Sequence, residues 1–263
     1  MTQPPRPDFL TPDWSAPAQV RALCTTRLGG VSQPPYDSLN LGQHVGDEAQ
    51  AVATNRALLA QTLGTQPVYL SQVHGWHVQK LQADTPDETQ ADACFTTQHG
   101  LVCTIMVADC LPVLLTDEAG SFVAAVHAGW RGLAGEQGHG VLESVMQTID
   151  QEVHGGQAHD RAKIIAWLGP CIGPTAFEVG PEVKTAFEAH DVRAAACFKP
   201  VSEGKWVCDL QGLARQRLQA LGVTQVFGND GGAPWCTVSN PSRFFSHRRD
   251  RVSGRLAACI WLA

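Results

Sequence analysis

The order of elements along the chain predicts a single domain of mixed α and β structure, α/β or α+β in class. Three observations carry this. Short apolar runs rich in β-branched residues alternate with stretches whose apolar residues recur at helical spacing. No internal repeat, low-complexity block or linker divides the sequence. At 263 residues the chain is long enough to bury one large core, so residues 1–263 are read as one domain.

The elements follow in order. The proline-rich start, residues 1–17, reads as an extended arm over the surface. Gln82 to Gln90 is polar and reads as a loop. Leu101 to Val107 is apolar and β-branched, which predicts a buried strand, and Leu111 to Thr116 reads likewise. Asp117-Glu118-Ala119-Gly120 is a turn signal before a third strand, Ser121 to Val126, so the two strands should form a hairpin. From Gly135 to Ile149 the residues Val141, Leu142, Val145, Met146 and Ile149 fall at helical spacing. Further strands are expected at Ile164 to Leu168, Thr224 to Phe227 and Leu256 to Leu262, and a helix from Leu210 to Leu221.

Charge and cysteine usage exclude several classes. The net charge of -6 offers no basic field for nucleic acid or an anionic membrane, so any arginine cluster that meets a phosphate must be local. No apolar run has the length of a transmembrane helix, and prolines stand where a signal peptide needs an apolar segment. The nine cysteines are dispersed and form no Cys-x-x-Cys pair, a pattern of reduced cytoplasmic thiols that mostly serve packing.

Three residues stand in segments suited to holding a reactive side chain still: His74 in Ser-Gln-Val-His-Gly, Cys110 in Ala-Asp-Cys-Leu-Pro, and His127 in Val-His-Ala-Gly-Trp-Arg-Gly. Two imidazoles and a thiolate make a three-ligand set. Zinc held by three protein ligands keeps a fourth position for water or substrate, which marks a catalytic site, and the wide spacing argues against a zinc finger. Cys110 falls between two strand runs, and His127 falls at the end of a strand before glycines that lead into a helix, where backbone N–H groups can approach an anion. The other eight histidines, His159 among them, receive no metal role, and Cys171 in the Gly-Pro-Cys-Ile-Gly-Pro loop is a weak further ligand candidate. Thr25-Thr26-Arg27-Leu28-Gly29-Gly30-Val31-Ser32, Ser38-Leu39-Asn40-Leu41-Gly42 and Phe244-Phe245-Ser246-His247-Arg248-Arg249-Asp250 taken singly read as surface turns and a charged face.

Taken together these motifs closely resemble the laccase-domain family, also called multicopper polyphenol oxidase-like, YfiH-like or peptidoglycan editing factor, over nearly the whole chain from Ala22 onward. The resemblance implies an α/β fold layered α-β-β-α and a zinc site that maps onto His74, Cys110 and His127. It implies phosphorolysis of purine nucleosides (adenosine, inosine, guanosine, methylthioadenosine) and deamination of adenosine, with purine nucleosides and phosphate as partners. One departure is visible: the family commonly has glycine after Arg-Arg-Asp, where this chain has Arg251. For the phosphate pole the candidates are Arg27, Arg131 and Arg248, since arginine pairs with phosphate through charge-assisted bonds; for ribose or base they are Asn40 and Gln72. The rival readings are a copper-dependent polyphenol oxidase, a metal-free hydrolase editing peptidoglycan precursors with Cys110 as nucleophile, and a metal-stabilised binding module. Copper clusters of that oxidase class rely on His-x-His pairs, which this chain lacks. The sequence leaves the oligomeric state open, with a monomer as the working expectation.

Overall fold

Strands covered on both faces need no polar side, and here two sheets stack face to face with helices outside both. The computed structural model describes residues 7–158 and 160–263, so residues 1–6 of the proline-rich arm and His159 lie outside the described residues. The first sheet runs Phe9–Leu10, Val20–Thr25, Leu256–Leu262, Val102–Val107, Pro67–Val68. The second runs Gln225–Gly228, Ile164–Leu168, Leu111–Asp117, Val123–Ala128, Ala93–Thr96, Val78–Lys80.

Successive side chains of a strand point to opposite faces, and this alternation sorts the core into layers. From Val102–Val107, the residues Cys103, Ile105 and Val107 meet Leu114, Val123, Ala125 and Trp167 of the second sheet. Val102 and Met106 point the other way, onto Leu59 and Leu63 of helix Ala49–Leu63. From Leu111–Asp117, Leu111, Val113 and Leu115 face helix Val141–Glu152 and helix Leu210–Ala220. The fold is the expected α-β-β-α sandwich. No helix among the described residues is long and apolar enough to cross a membrane.

The hairpin forms as expected, with Thr116 opposite Val123 and Leu111 opposite Ala128, and Ile164–Leu168 and Leu256–Leu262 are strands as read. The helix expected from Gly135 begins only at Val141. Gly135 and Gly138 hold φ of 65° and 81°, which a right-handed helix excludes, and the Glu143 carboxylate accepts the Gly140 N–H at 2.9 Å to close the first turn. Residues Trp130–Ala134 form a separate short helix upstream. The polar loop from Gln82 ends in Thr89–Gln90, which pairs with Leu70–Ser71, and within the proline-rich start Phe9–Leu10 pairs with Cys24 and Thr25.

Helix Ala49–Leu63 carried no expectation because its buried face is interrupted by a polar residue, Asn55. Its amide anchors two preceding loops: Nδ2 donates to Ser32 Oγ, Ser38 O and Asn40 O at 2.9, 3.1 and 2.9 Å, and Oδ1 accepts the Val31 N–H at 2.9 Å. Asn55→Ala strips the Asn40 carbonyl and the Val31 N–H of their partner, while Ser32 Oγ keeps Asp47 and the Ser38 carbonyl keeps the Ser32 N–H, and should cost about 2–3 kcal/mol in urea unfolding. A loss below about 0.5 kcal/mol, the scale of an ordinary surface change, would show that the loops are held by other means.

Candidate metal centre

The site forms where the chain crosses between sheets. Val102–Val107 lies in the first sheet and Leu111–Asp117 in the second, so Ala108, Asp109 and Cys110 span the gap at its rim. Val123 and Ala125 face the inter-sheet layer, and His127, two residues further on, points the same way at the strand's end. His74 comes from the loop between Leu70–Ser71 and Val78–Lys80. Cys110 Sγ lies 3.8 Å from His74 Nε2, and the two imidazole rings meet edge to face at 4.8 Å.

The ligand atoms of His74, Cys110 and His127 lie within 4.8 Å of one another, the one such group of three or more His, Cys, Asp or Glu among the described residues. His127 is buried and His74 exposed, which leaves one side of the group open. Gly129 keeps the space clear: a Cβ there would stand 3.0 Å from both Cys110 Sγ and His74 Cδ2. One thiolate and two imidazoles with a free side are donors that suit zinc or copper, so the residues present fit a metal ion. The eight other cysteines are buried thiols, and Cys171 is not part of the group.

Asp92, for which the sequence raised no expectation, holds two of the ligands. Fully buried, it accepts the N–H groups of Val73, His74 and Gly75 at 3.2, 2.8 and 2.7 Å. His74 has φ 63°, a left-handed conformation that is uncommon outside glycine. It turns three successive N–H groups onto one carboxylate, an anion nest. The same carboxylate lies 2.8 Å from His127 Nδ1. With Nδ1–H donated to Asp92, loss of the second imidazole proton would leave Nε2 as the lone-pair nitrogen of the group, the carboxylate–histidine arrangement found behind metals.

Asp109 fixes the third ligand. It holds φ 89°, and its carboxylate accepts from Thr237 Oγ1 at 2.5 Å and from the Arg248 N–H at 2.6 Å. Phe244 to Asp250 thus locks the crossing that presents Cys110. The Cys110 and His127 side chains shift one another in opposite directions, toward a thiolate beside a protonated imidazole. Burial acts to raise the Cys110 thiol, but the charge of His127 and hydrogen bonds from both histidines bring it down to about 6. Burial acts to lower His127, yet the Cys110 charge and the Asp92 hydrogen bond hold it up at about 9. Asp92, despite burial, is held below the ordinary carboxylate value by His127 and by the Gly75 and His74 N–H groups.

The triad opens on a cavity of 690 Å³, within the size range of small-molecule sites. Arg131 and Arg248 line it, as does Gln72, but the Gln72 amide is paired both ways with the Met106 backbone at 2.8 and 2.7 Å. Gln72 therefore builds the wall. Arg27 and Asn40 are not on it. Arg27 donates to Asp37 and to the Pro241 carbonyl and lies over the Phe245 ring, clamping surface segments. Asn40 is buried, bonded to Gly42, Asp47 and the Arg255 N–H. The glycines around Arg131 serve close packing: a Cβ on Gly132 would come 2.5 Å from the Gly75 carbonyl. Arg56, Arg251 and Arg255, none a candidate from sequence, also line the cavity.

Fold and cluster together define a layered α/β protein with an open two-histidine, one-cysteine group that could hold a metal ion, beside an arginine-rich cavity. The family model of the multi-copper polyphenol oxidoreductase laccases matches residues 21–263, and the chain belongs to that family. It is 49% identical over 255 residues to a purine nucleoside phosphorylase of Pseudomonas aeruginosa, covering 97% of this chain and 98% of the relative. It is 48% identical over 257 residues to the purine nucleoside phosphorylase YfiH of Escherichia coli, with 97% and 98% covered. Among solved structures, a Neisseria meningitidis protein described by the family model DUF152 superposes with a TM-score of 0.83 at 44% identity, covering 97% of this chain and 98% of that one. The Bacillus licheniformis hypothetical protein YfiH gives 0.83 at 30% identity, with 93% of each chain covered. The resemblance and the layered fold expected from sequence are both borne out.

Proposed function

We propose that this chain is a zinc-dependent, cytoplasmic purine nucleoside phosphorylase that also deaminates adenosine. The observation that carries the reading is the open cluster of His74, Cys110 and His127 beside a cavity of guanidinium and flat apolar side chains, in a chain whose relatives are named for that activity. The family's description points to copper. A single three-ligand group among the described residues suits one ion, and its open side is the arrangement of catalytic zinc, so we assign zinc.

His74, Cys110 and His127 would hold the ion, which when bound supplies a Lewis-acid pole and lowers the pKa of water. The chain's own side chains bind and orient the rest. Trp130 and Phe177 line the cavity, and the guanidiniums of Arg131 and Arg248 lie 4.5 and 5.4 Å from the centres of those rings. Their remaining N–H groups can face ribose, base or phosphate oxygens. In phosphorolysis a phosphate oxygen bonds to ribose C1′ as the bond to the purine nitrogen breaks, and the purine leaves with the electron pair and takes up a proton. Deamination replaces the amine at purine C6 by water-derived oxygen and releases ammonia. The chain has neither the His-x-Glu nor the Pro-Cys-x-x-Cys pair of the familiar zinc deaminases, so its proton transfers would use other groups.

Incubating the purified protein with adenosine, inosine, guanosine and methylthioadenosine, with and without phosphate, tests this by chromatography. Free base and ribose 1-phosphate (or its methylthio counterpart) should form only with phosphate present, and inosine should form from adenosine in either case. Oxygen consumption with phenols and no nucleoside cleavage would overturn the reading.

A further inference from the structure

The Asn40-Leu41-Gly42 motif has its own place in the cavity wall, and that place concerns two arginines distant in sequence. Arg56 Nε donates to the Leu41 carbonyl at 3.0 Å. The Arg255 N–H donates to Asn40 Oδ1 at 2.8 Å, and the Arg255 carbonyl accepts the Leu41 N–H at 3.2 Å. Gly42 leaves room for the Arg255 stem, whose Cγ would stand 2.7 Å from a Cβ there. Both side chains line the same cavity as the metal-binding group.

Their surroundings hold them still, with Asp87 and Glu88 acting on Arg56 and Cys110 and Asp109 acting on Arg255 at longer range. The Arg56 guanidinium lies 3.8 Å over the Tyr69 ring, and its nearest carboxylate, Asp87, is 4.0 Å away and half exposed. One Arg255 nitrogen donates to the Ser253 and Gly254 carbonyls at 2.9 and 3.1 Å, and among the described residues no carboxylate forms an ion pair with it. A partly buried guanidinium such as that of Arg255, without an ion-pair partner among the described residues, is costly to keep. His44, on the cavity wall, borders both, and burial with the two positive charges holds its pKa below the ordinary histidine value. Arg131 and Arg251, by contrast, are exposed. A site that binds a doubly charged oxyanion gains most from donors already ordered and partly desolvated.

We infer that Arg56 and Arg255, mounted on the Asn40–Gly42 segment with His44 beside them, form the binding site for the inorganic phosphate co-substrate. This rests on the phosphorylase reading for its role, while the site itself is testable without turnover. It leaves Arg131 and Arg248, stacked on Trp130 and Phe177, to the nucleoside.

The experiment measures phosphate binding to the intact protein by calorimetry, and phosphate and nucleoside KM where turnover exists, for the parent, Arg56→Gln, Arg255→Gln and Arg255→Lys, each first shown to be folded by its melting curve. Each Gln variant should weaken phosphate binding and raise the phosphate KM by about tenfold or more, with the nucleoside KM changed less than about twofold. Arg255→Lys should fall between parent and Gln. If the parent shows no phosphate-dependent cleavage but binds phosphate and the Gln variants lose it, the phosphorylase role fails and the anion site stands. Absence of phosphate binding by the parent, or Gln variants that bind phosphate as the parent does, overturns the inference. So does a larger rise in phosphate KM from Arg131→Ala than from either Gln variant.

Discussion

Cys110→Ala is expected to give a folded protein that no longer retains its metal and turns nucleosides over at least about 100-fold more slowly. Changes behind metal ligands commonly cost 10–100-fold, and this one removes a ligand and the only thiolate of the group. The fold should survive, because Cys110 lies at the rim of the inter-sheet layer, half-buried, and alanine removes one sulfur atom. Elemental analysis after gel filtration, with initial rates beside metal-depleted parent protein, checks both halves. Retained zinc together with parental rates would show that the centre lies elsewhere.

Asp92→Asn should produce the next largest effect. The carboxylate accepts three backbone N–H groups of the His74 loop and faces His127 Nδ1. An amide of the same shape must turn an NH₂ group toward one or more of these donors. We expect zinc affinity to fall by about 10–100-fold and stability to drop by about 3 kcal/mol or more, the scale for removing one partner of a buried charged pair. The acid side adds a signature. Because Asp92 is held below its ordinary value in the folded protein, its contribution is fully present above the ordinary carboxylate pKa and is lost as pH falls through the lower folded value. The parent should lose that increment of stability in acid, and the Asn variant, having no proton to take up there, should lack it. Unaltered zinc affinity in competition with a chelator would refute the positioning role.

Much of the scaffold was legible because its signals are local. Residues 102–107, 111–117 and 256–262 are buried along nearly their whole length, so they read as continuous apolar runs, and Asp117 to Gly120 marks the hairpin turn between the second run and the next strand. Helix Ala49–Leu63 was hidden by Asn55 on its buried face, and the early start given to the helix after Gly135 came from apolar spacing that cannot register positive φ at glycine. His74, Cys110 and His127 stand out by residue type and flanking glycine and proline. Asp92 had no such signal, being one aspartate between alanines, and Arg56 and Arg255 lie in no motif that names a ligand.

What the sequence by itself determined is therefore the class of fold, the main strands and which residues could be ligands, since periodicity and side-chain chemistry act over a few neighbouring residues. Where each polar atom ends was decided by tertiary structure alone. Arg27 and Asn40 carry groups suited to a phosphate or a ribose, yet packing turns Arg27 onto Asp37 and Pro241 and Asn40 onto Gly42, Asp47 and Arg255. A hydrogen bond reaches only about 3 Å, so a residue's role depends on what the fold brings within that distance. For Asp92 and His127, or Asn40 and Arg255, the partner lies 35 or 215 positions away in the chain.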